Sequence, residues 1–235
     1  MCYMSNARFP FFALMAGLAC LFCNGSSARA GSVLAELWLN SSNAYNASIA
    51  NTPTTTPDAE FNPTGINYDS RLTGYSIGDF LKSPTFFNTS AAWAANGGAK
   101  ASVDNTFFLF TGTTYLNAGG NTFQTEHDDG FELAVTGAYS DSSFKTPFDY
   151  KQPGPTAPVL STYTVYAPTA GLYSFTLSYG EVDGPPAVLT YAINGAPVGN
   201  TAVPEPGSLL LLGQGAVALI GLAWRSRRRF LTAAA

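Results

Sequence analysis

The sequence predicts an all-β fold, a β-sandwich or jelly-roll ectodomain, between an N-terminal signal helix and a C-terminal transmembrane helix. Three observations predict it. Apolar and polar residues alternate in several stretches of the middle region, turn residues separate these stretches, and a short apolar run lies near each end. Alternation with period two is the pattern of a half-buried strand. Closely spaced strands with turn signals are typical of sandwiches and barrels.

The strands are predicted from this alternation. Residues 173–179 alternate aromatic or aliphatic side chains with serine and threonine, and residues 131–135 and 189–193 repeat the pattern. Residues 107–110 are continuously apolar, which predicts a strand that is covered on both faces. The middle region shows no apolar stripe of helical period.

Turns and loops are predicted from glycine, proline and asparagine. Asn194 and Gly195 predict a type I′ turn, followed by a return strand at 196–198. Residues 51–64, which are rich in proline and threonine, predict a loop. Residues 91–101 could hold one helical turn, which two glycines would end.

The first 30 residues predict a secretory signal peptide. Arg8 precedes an apolar run at residues 9–23, and Ala28 and Ala30 form an A-x-A site, so we expect cleavage after Ala30. The alternative is an uncleaved anchor helix, but the run is short for a bilayer span of about 20 residues. A signal of this kind implies the Sec translocon as an export partner.

The cysteines exclude several classes of site from the mature chain. All three cysteines lie inside the predicted signal, at positions 2, 20 and 23. The mature protein therefore cannot be a disulfide scaffold, a cysteine–zinc protein or a thiol enzyme. Residues 31–203 are long enough for one extracellular domain with its own core.

The charge of this domain excludes nucleic acid as a partner. Residues 31–203 contain 14 acidic and five basic side chains, whereas nucleic-acid binding normally requires a basic patch. An acidic surface that is rich in threonine, serine and asparagine is better suited to divalent cations and to neutral, hydroxyl-rich ligands.

The C-terminal segment has three parts. Pro204, Glu205 and Pro206 form a rigid, non-helical triplet, and residues 208–224 are apolar apart from Ser208 and Gln214. As a helix this run is about 25 Å long, the short end of what spans a bilayer. Four arginines follow, which should stay in the cytoplasm with residues 230–235; they are Arg225, Arg227, Arg228 and Arg229. A buried C-terminal helix is the alternative, but it does not account for the arginines.

This tail resembles the PEP-CTERM sorting signal of Gram-negative bacteria, and the match takes in residues 204–229. The resemblance implies processing by an exosortase, a membrane-embedded cysteine protease or transpeptidase. It also implies a route from inner-membrane anchoring to the cell surface or to an exopolysaccharide and biofilm matrix. Glu205 would then belong to a recognition motif and not to an active site, and residues 208–224 would span the membrane only during export.

Residues 125–133 contain the candidate metal site. Asp128 and Asp129 precede Gly130 in a segment that enters a strand, and hard cations such as calcium prefer carboxylate oxygens. Neighbouring side chains on a strand diverge, so the two carboxylates converge only at a turn or across a cis peptide bond. An Asx turn with solvated carboxylates is the alternative.

Residues 105–195 also resemble, more weakly, the protective-antigen-type domain of yeast flocculins, some glycosidases and bacterial toxins. The resemblance is carried by a phenylalanine strand, Asp-Asp-Gly, a Leu-x-Val strand, Ala-Gly-x-Tyr and Tyr-x-Glu. The matching segments of this chain are Phe123, Asp128-Asp129-Gly130, Leu133-x-Val135, Ala170-Gly171-x-Tyr173 and Tyr179-x-Glu181.

In the lectins of that family an Asp-cis-Asp pair binds calcium, and the calcium binds sugar hydroxyls. The resemblance therefore implies that Asp128 and Asp129 are calcium ligands, to which Glu181 or Asp183 could add. The family's late tryptophan is missing here, and Tyr191 is nearby instead. Many members of the family use the domain only as a structural module.

Enzymatic alternatives stay open at this stage. Residues 74–78 match the G-x-S-x-G elbow around Ser76, and Asp104 and His127 follow in hydrolase order. The elbow needs a helix after the serine, which Pro84 would interrupt, and His127 is expected on a solvent-facing loop. A glycosidase would need two carboxylates across a cleft, for which the candidates are Asp128, Glu132 and Glu181.

The sequence as a whole favours a non-catalytic protein of the cell surface or extracellular matrix. Its role would be to bind carbohydrate, with calcium as the cofactor and polysaccharide as the partner, or to be a structural matrix or coat protein without a specific small ligand. Trp38 and Trp93 could stack on sugars, although core packing is the default for both. The alternative is a secreted hydrolase, either a glycosidase or an esterase.

Overall fold

A computed structural model describes residues 30–182 and 184–200 of the chain. In these residues twelve strands form one curled antiparallel sheet, which confirms the predicted all-β class. The strands are β1 (Ala30–Trp38), β2 (Ala59–Phe61), β3 (Asn67–Asp69), β4 (Phe86–Phe87), β5 (Thr106–Leu116), β6 (Gly119–Asp128), β7 (Gly130–Tyr139), β8 (Pro147–Gln152), β9 (Val159–Ala167), β10 (Gly171–Glu181), β11 (Val188–Ile193) and β12 (Ala196–Pro197).

The sheet has two halves that face each other. Its order is β12-β11-β6-β9-β7-β10-β5-β1-β2-β4, with β3 beside β11 and β8 beside β7. The halves meet between β9 and β7, which are joined through the single pair Tyr139–Tyr166. Rings from opposite halves pack together, with Phe175 of β10 5.6 Å from Tyr191 of β11 between ring centroids. This is the arrangement of a β-sandwich.

The core follows the alternation of the sequence. Phe175, Leu177 and Tyr179 all lie inward on β10 and are at most 2% exposed. The predicted two-sided burial of β5 is also confirmed. Phe108 belongs to the main core, whereas Phe107 packs against Trp38 in a smaller cluster.

Two 3₁₀ turns cover the outer face of β10. They are η1 (Ser42–Asn46) and η2 (Ile49–Asn51). The turn η1 can approach because position 180 is glycine: a Cβ there would lie 2.3 Å from the carbonyl oxygen of Ala44. Ser178 fixes the segment by donating a hydrogen bond of 2.6 Å to the carbonyl of Ala47.

The predicted hairpin is confirmed, and one loop prediction is wrong. Asn194 and Gly195 both have positive φ, as a type I′ turn requires, and β12 pairs with β11 after them. The loop expected at 51–64 contains strand β2, because Ala59 and Phe61 are fully buried beside β1. Three residues between prolines are too few for the alternation to be recognised.

The described helices are short. They are α1 (Ser70–Thr73), α2 (Ile77–Phe80), α3 (Ala91–Ala95) and the 3₁₀ turn η3 (Gly98–Lys100). Helix α3 is the helical turn expected within residues 91–101. None of the helices among the described residues has the length and apolarity to cross a bilayer. The predicted signal helix and the apolar run 208–224 lie outside these residues.

The last described residue joins both ends of the domain. The Asn200 side chain accepts a hydrogen bond from the backbone N–H of Val33 and donates one to its carbonyl, both 2.6 Å long. The backbone N–H of Asn200 donates to the carbonyl of Pro63. The chain is therefore hydrogen-bonded to the domain as far as Asn200.

Candidate functional site

The two aspartates lie where the chain crosses from one half of the sandwich to the other. Asp128 ends β6 and is paired with Val188, and Gly130 begins β7 and is paired with Gly180. Asp129 is the single residue between these strands. A site at this point is in contact with both halves of the core.

The peptide bond between Asp128 and Asp129 is cis, which is one of the two geometries that the sequence-based hypothesis required. Both residues are buried, with 6% and 3% of their surface exposed. The pair is therefore not on an exposed Asx turn, the alternative considered for it, since little of either residue is exposed.

The carboxylate of Asp129 is fixed by two backbone donors from distant parts of the chain. Its Oδ2 accepts a hydrogen bond of 2.8 Å from the N–H of Val182, and its Oδ1 accepts one of 3.1 Å from the N–H of Thr156. Each oxygen keeps a further lone pair. The segment after β10 and the segment before β9 therefore hold one face of Asp129 and leave it able to accept from another partner.

His127 is buried beside this pair and not on a solvent-facing loop, so that expectation was wrong. It shares the inward face of β6 with Phe123 and Thr125, and its ring lies 4.2 Å from that of Phe131. Its Nδ1 is 2.6 Å from the carbonyl oxygen of Asp129. Because a carbonyl only accepts, Nδ1 carries the hydrogen, and burial lowers the pKa of the imidazole.

A chain of hydrogen bonds connects the aspartate pair to Glu181. The Tyr179 hydroxyl donates to the carbonyl of Asp128 and lies 2.7 Å from Oε2 of Glu181. The Tyr75 hydroxyl lies 2.9 Å from Oε1 of Glu181 and 2.7 Å from Oδ1 of Asp104. Glu181, predicted as a possible further ligand, is thus close to the pair but is engaged by two tyrosines.

The number of protons in this chain of hydrogen bonds favours a neutral Glu181. Two tyrosine hydroxyls supply two protons, but four acceptor oxygens contact them. A proton on the carboxyl group of Glu181 reduces the mismatch, because that group then donates to Tyr179. The pKa of Glu181 is raised to about 9, mainly by burial; the hydrogen bonds with Tyr179 and Tyr75 lower it, and the nearby carboxylates of Asp129 and Asp128 raise it.

The hydrolase residues are not brought together. Ser76 caps helix α2 and donates to Oδ2 of Asp79 at 2.7 Å, Asp104 accepts from Tyr75, and His127 bonds Asp129. A helix does follow Ser76, contrary to expectation, because its hydroxyl caps the single turn. A nucleophile elbow requires that the helix follow a strand of a parallel sheet, and helix α2 does not.

The remaining candidate residues are buried in the domain. Glu132 lies on the outer face, where it accepts a hydrogen bond of 2.9 Å from the N–H of Ile49. Trp38 and Trp93 are buried at 6% and 8% exposure and pack against phenylalanines. Tyr191, in place of the family's tryptophan, is fully buried.

The aspartate pair has the type of ligand atom that a hard cation prefers. Asp128 and Asp129 offer carboxylate oxygens, and calcium takes six to eight oxygen ligands from side chains, carbonyls and water. Among the described residues no group of three or more histidine, cysteine, aspartate or glutamate side chains is placed to hold a metal ion. Asp183, the other predicted ligand, lies outside the described residues.

The sorting and cleavage residues also fall outside the described part of the chain, except for one. Ala30 is the first residue of β1, where it pairs with Thr114. The others are Ala28, Pro204, Glu205, Pro206, Arg225, Arg227, Arg228 and Arg229.

Comparison with known proteins gives one family match and a set of structural neighbours. Residues 202–229 match the PEP-CTERM protein-sorting motif. A search of curated proteins finds no match.

Three solved structures are similar to the chain. The PA14 domain of the MpAFP antifreeze protein is 17% identical with a TM-score of 0.52, over 74% of this chain and 90% of that one. A PA14 sugar-binding domain of an RTX adhesin is 16% identical with a TM-score of 0.47, over 72% and 94%. The Epithelial Adhesin 9 A domain of Candida glabrata, in complex with a disaccharide, is 12% identical with a TM-score of 0.39, over 71% and 82%.

The first of these likenesses agrees with the fold inferred from the Asp-Asp-Gly and Tyr-x-Glu segments. The chain therefore carries a PEP-CTERM protein-sorting motif at residues 202–229, and the domain that precedes the motif has the fold of PA14 domains.

Proposed function

We propose that this protein is a non-catalytic carbohydrate-binding module, exported and sorted through its C-terminal motif. It binds sugar hydroxyls through a calcium ion held by Asp128 and Asp129. The observation that carries the proposal is the buried aspartate pair, in which Asp129 is fixed by the N–H groups of Thr156 and Val182. The PA14 fold and the acidic, hydroxyl-rich composition support it.

The chemistry of such a site divides between the ion and the chain. Calcium, when bound, supplies open coordination positions that a pair of neighbouring sugar hydroxyls can fill. The chain's own task is to hold Asp129 in one orientation before the ion arrives, which the two backbone donors do. The neutral carboxyl of Glu181 adds no third negative charge to the buried pair.

Asp128→Asn should weaken calcium binding at least tenfold, because it removes one of the two negative charges that are proposed to hold the ion. Calorimetric titration with calcium measures this. Native binding is expected in the range of about 10⁻⁴–10⁻³ M that is typical of extracellular modules. Asp149→Asn is the matched control, since Asp149 is exposed on β8. Equal affinities for the native chain and Asp128→Asn, or no binding at millimolar calcium, would contradict the proposal.

A glycan array probed with and without a chelator then tests the sugar. Saturable signals that disappear with the chelator support calcium-assisted binding. The second candidate function is a matrix or coat protein without a small ligand. It is favoured if calcium binds but no glycan gives a signal.

The sorting motif predicts that the mature protein lacks the arginine cluster. In the native host, mass analysis of the C-terminus should find no peptide that contains Arg225 or Arg227, because the exosortase removes the tail. Replacing Glu205 by Gln should leave the tail in place and keep the protein in the membrane fraction. An intact tail on the native protein would contradict processing, and would leave the binding proposal untouched.

A further inference from the structure

The described part of the chain also has a concave surface that neither Asp128 nor Asp129 lines. It is formed by residues 62–65, Tyr68, residues 81–85 and Phe87, and its volume is about 470 Å³. We name it the 62–87 cleft. Sites for small ligands commonly have volumes of about 300–1,000 Å³, so the cleft is large enough for one.

The cleft has an apolar floor and a polar rim. Tyr68 and Leu81 are buried at 3% exposure each and form part of the floor. Asn62, Thr64 and Thr85 are exposed at its edge. The amide and hydroxyl groups at the edge can exchange hydrogen bonds with the hydroxyls of a sugar ring, whereas the buried floor presents little apolar surface to it.

The walls of the cleft are fixed in place. Gly199 packs so closely on residues 62–65 that a Cβ at position 199 would lie 2.4 Å from Cα of Gly65. The backbone N–H of Asn200 donates to Pro63, and that of Ser83 donates to the carbonyl of Gly78 at 2.6 Å. A ligand would therefore meet a largely preformed surface, which reduces the entropy lost on binding.

Lys82 places a positive charge at this surface. The ion pairs within 4 Å in the described residues are made by Arg71 and Lys151, so Lys82 is not neutralised at contact distance. Lys82 and Ser83 both have positive φ, 60° and 51°, a region that lysine and serine rarely adopt. This unfavourable backbone conformation is found at the two residues that line the cleft beside its positive charge.

We propose that the 62–87 cleft binds an acidic sugar unit of a polysaccharide, with the sugar carboxylate paired to Lys82 and its hydroxyls bonded at the rim. A nucleic acid or polyphosphate is disfavoured, because one lysine on a strongly acidic domain cannot offset a dense row of charges. An acidic sugar instead carries a single carboxylate among hydroxyls, which matches one cation among amides and hydroxyls. This second site extends the proposed carbohydrate binding but does not depend on the calcium ion.

The test is a titration of the full chain, in the presence of a chelator, with a cellohexaose whose non-reducing unit is oxidised at C6 to a glucuronate, so that the probe carries one carboxylate; binding is followed by NMR or calorimetry. Cellohexaose is the matched neutral probe. Binding of the acidic probe should weaken at least tenfold in Lys82→Gln and remain unchanged in Lys100→Gln, an exposed lysine outside the cleft. Thr85→Trp should also weaken binding, because the indole fills the cleft without changing its charge.

The outcomes separate this site from the calcium site. Binding in the chelator that survives Asp128→Asn and is lost in Lys82→Gln supports the proposal even if no calcium binds. No binding of the acidic probe, equal binding of cellohexaose, or equal affinities for Lys82→Gln and Lys100→Gln would each overturn it. Failure of Asp128→Asn to affect calcium would overturn the calcium site alone.

Discussion

Gly130→Ala should lower the free energy of unfolding by about 2–4 kcal/mol and weaken the proposed calcium binding with it. A Cβ at this position would lie 2.1 Å from the carbonyl oxygen of Pro153 and 2.5 Å from its carbonyl carbon. Both atoms are backbone, so no side chain can rotate away to make room. The segment at Pro153 has to move, and the N–H of Thr156, which holds Asp129, moves with it.

Gly154→Ala is the matched control for this variant. Gly154 is on the same segment, but a Cβ there would meet no atom within 4 Å. Urea denaturation should therefore give a native-like midpoint for Gly154→Ala and a clearly lower one for Gly130→Ala. If the two alanine variants unfold at the same urea concentration, the close packing at Gly130 does not stabilise the site.

The fold class could be predicted from the sequence because alternation is a local signal. Residues 173–179 determine by themselves which side chains of β10 are inward, and the structure places Phe175, Leu177 and Tyr179 in the core. The pairing of strands is not a local property. The alternation of β6 and β7 contains nothing that assigns β6 to β9 and β11, or β7 to β10.

The burial of His127 follows from the same local signal. Phe123, Thr125 and His127 stand two residues apart, so a strand that buries Phe123 also buries His127. The acidic neighbours of His127 and its polarity favoured a loop. The structure satisfies its Nδ1 through the carbonyl of Asp129, a contact that exists only after the chain turns between β6 and β7.

The candidate site was predictable in part for a related reason. Asp128 and Asp129 are adjacent in sequence, so a motif can contain both. Their supports cannot be found that way, because Thr156 is 27 residues and Val182 53 residues away from Asp129. Tyr179 was expected as an apolar strand residue, and the bond from its hydroxyl to Asp128 depends on burial that a sequence pattern does not express.

Glu181→Gln should remove a loss of stability that the native protein shows as the pH rises. The pKa of Glu181 is about 9 in the folded chain, above the ordinary value of 4.5. Below pH 4.5 both states keep the proton, and the contribution to stability is complete. Between pH 4.5 and about 9 the unfolded chain releases the proton and the folded chain retains it. Stability should therefore fall with rising pH, by up to about 1.4 kcal/mol for each pH unit.

The amide that Glu181→Gln introduces would keep a donor for Tyr179 at every pH, since it does not titrate, and would keep an oxygen beside the Tyr75 hydroxyl. Urea denaturation at about pH 5, 7 and 9, with a chelator present, should show a smaller decline for the variant than for the native chain. Asp149→Asn, which changes an exposed carboxylate on β8, should decline as the native chain does. Parallel declines in the native chain and Glu181→Gln would mean that the proton is not on Glu181, and that the two tyrosines share theirs among four oxygens.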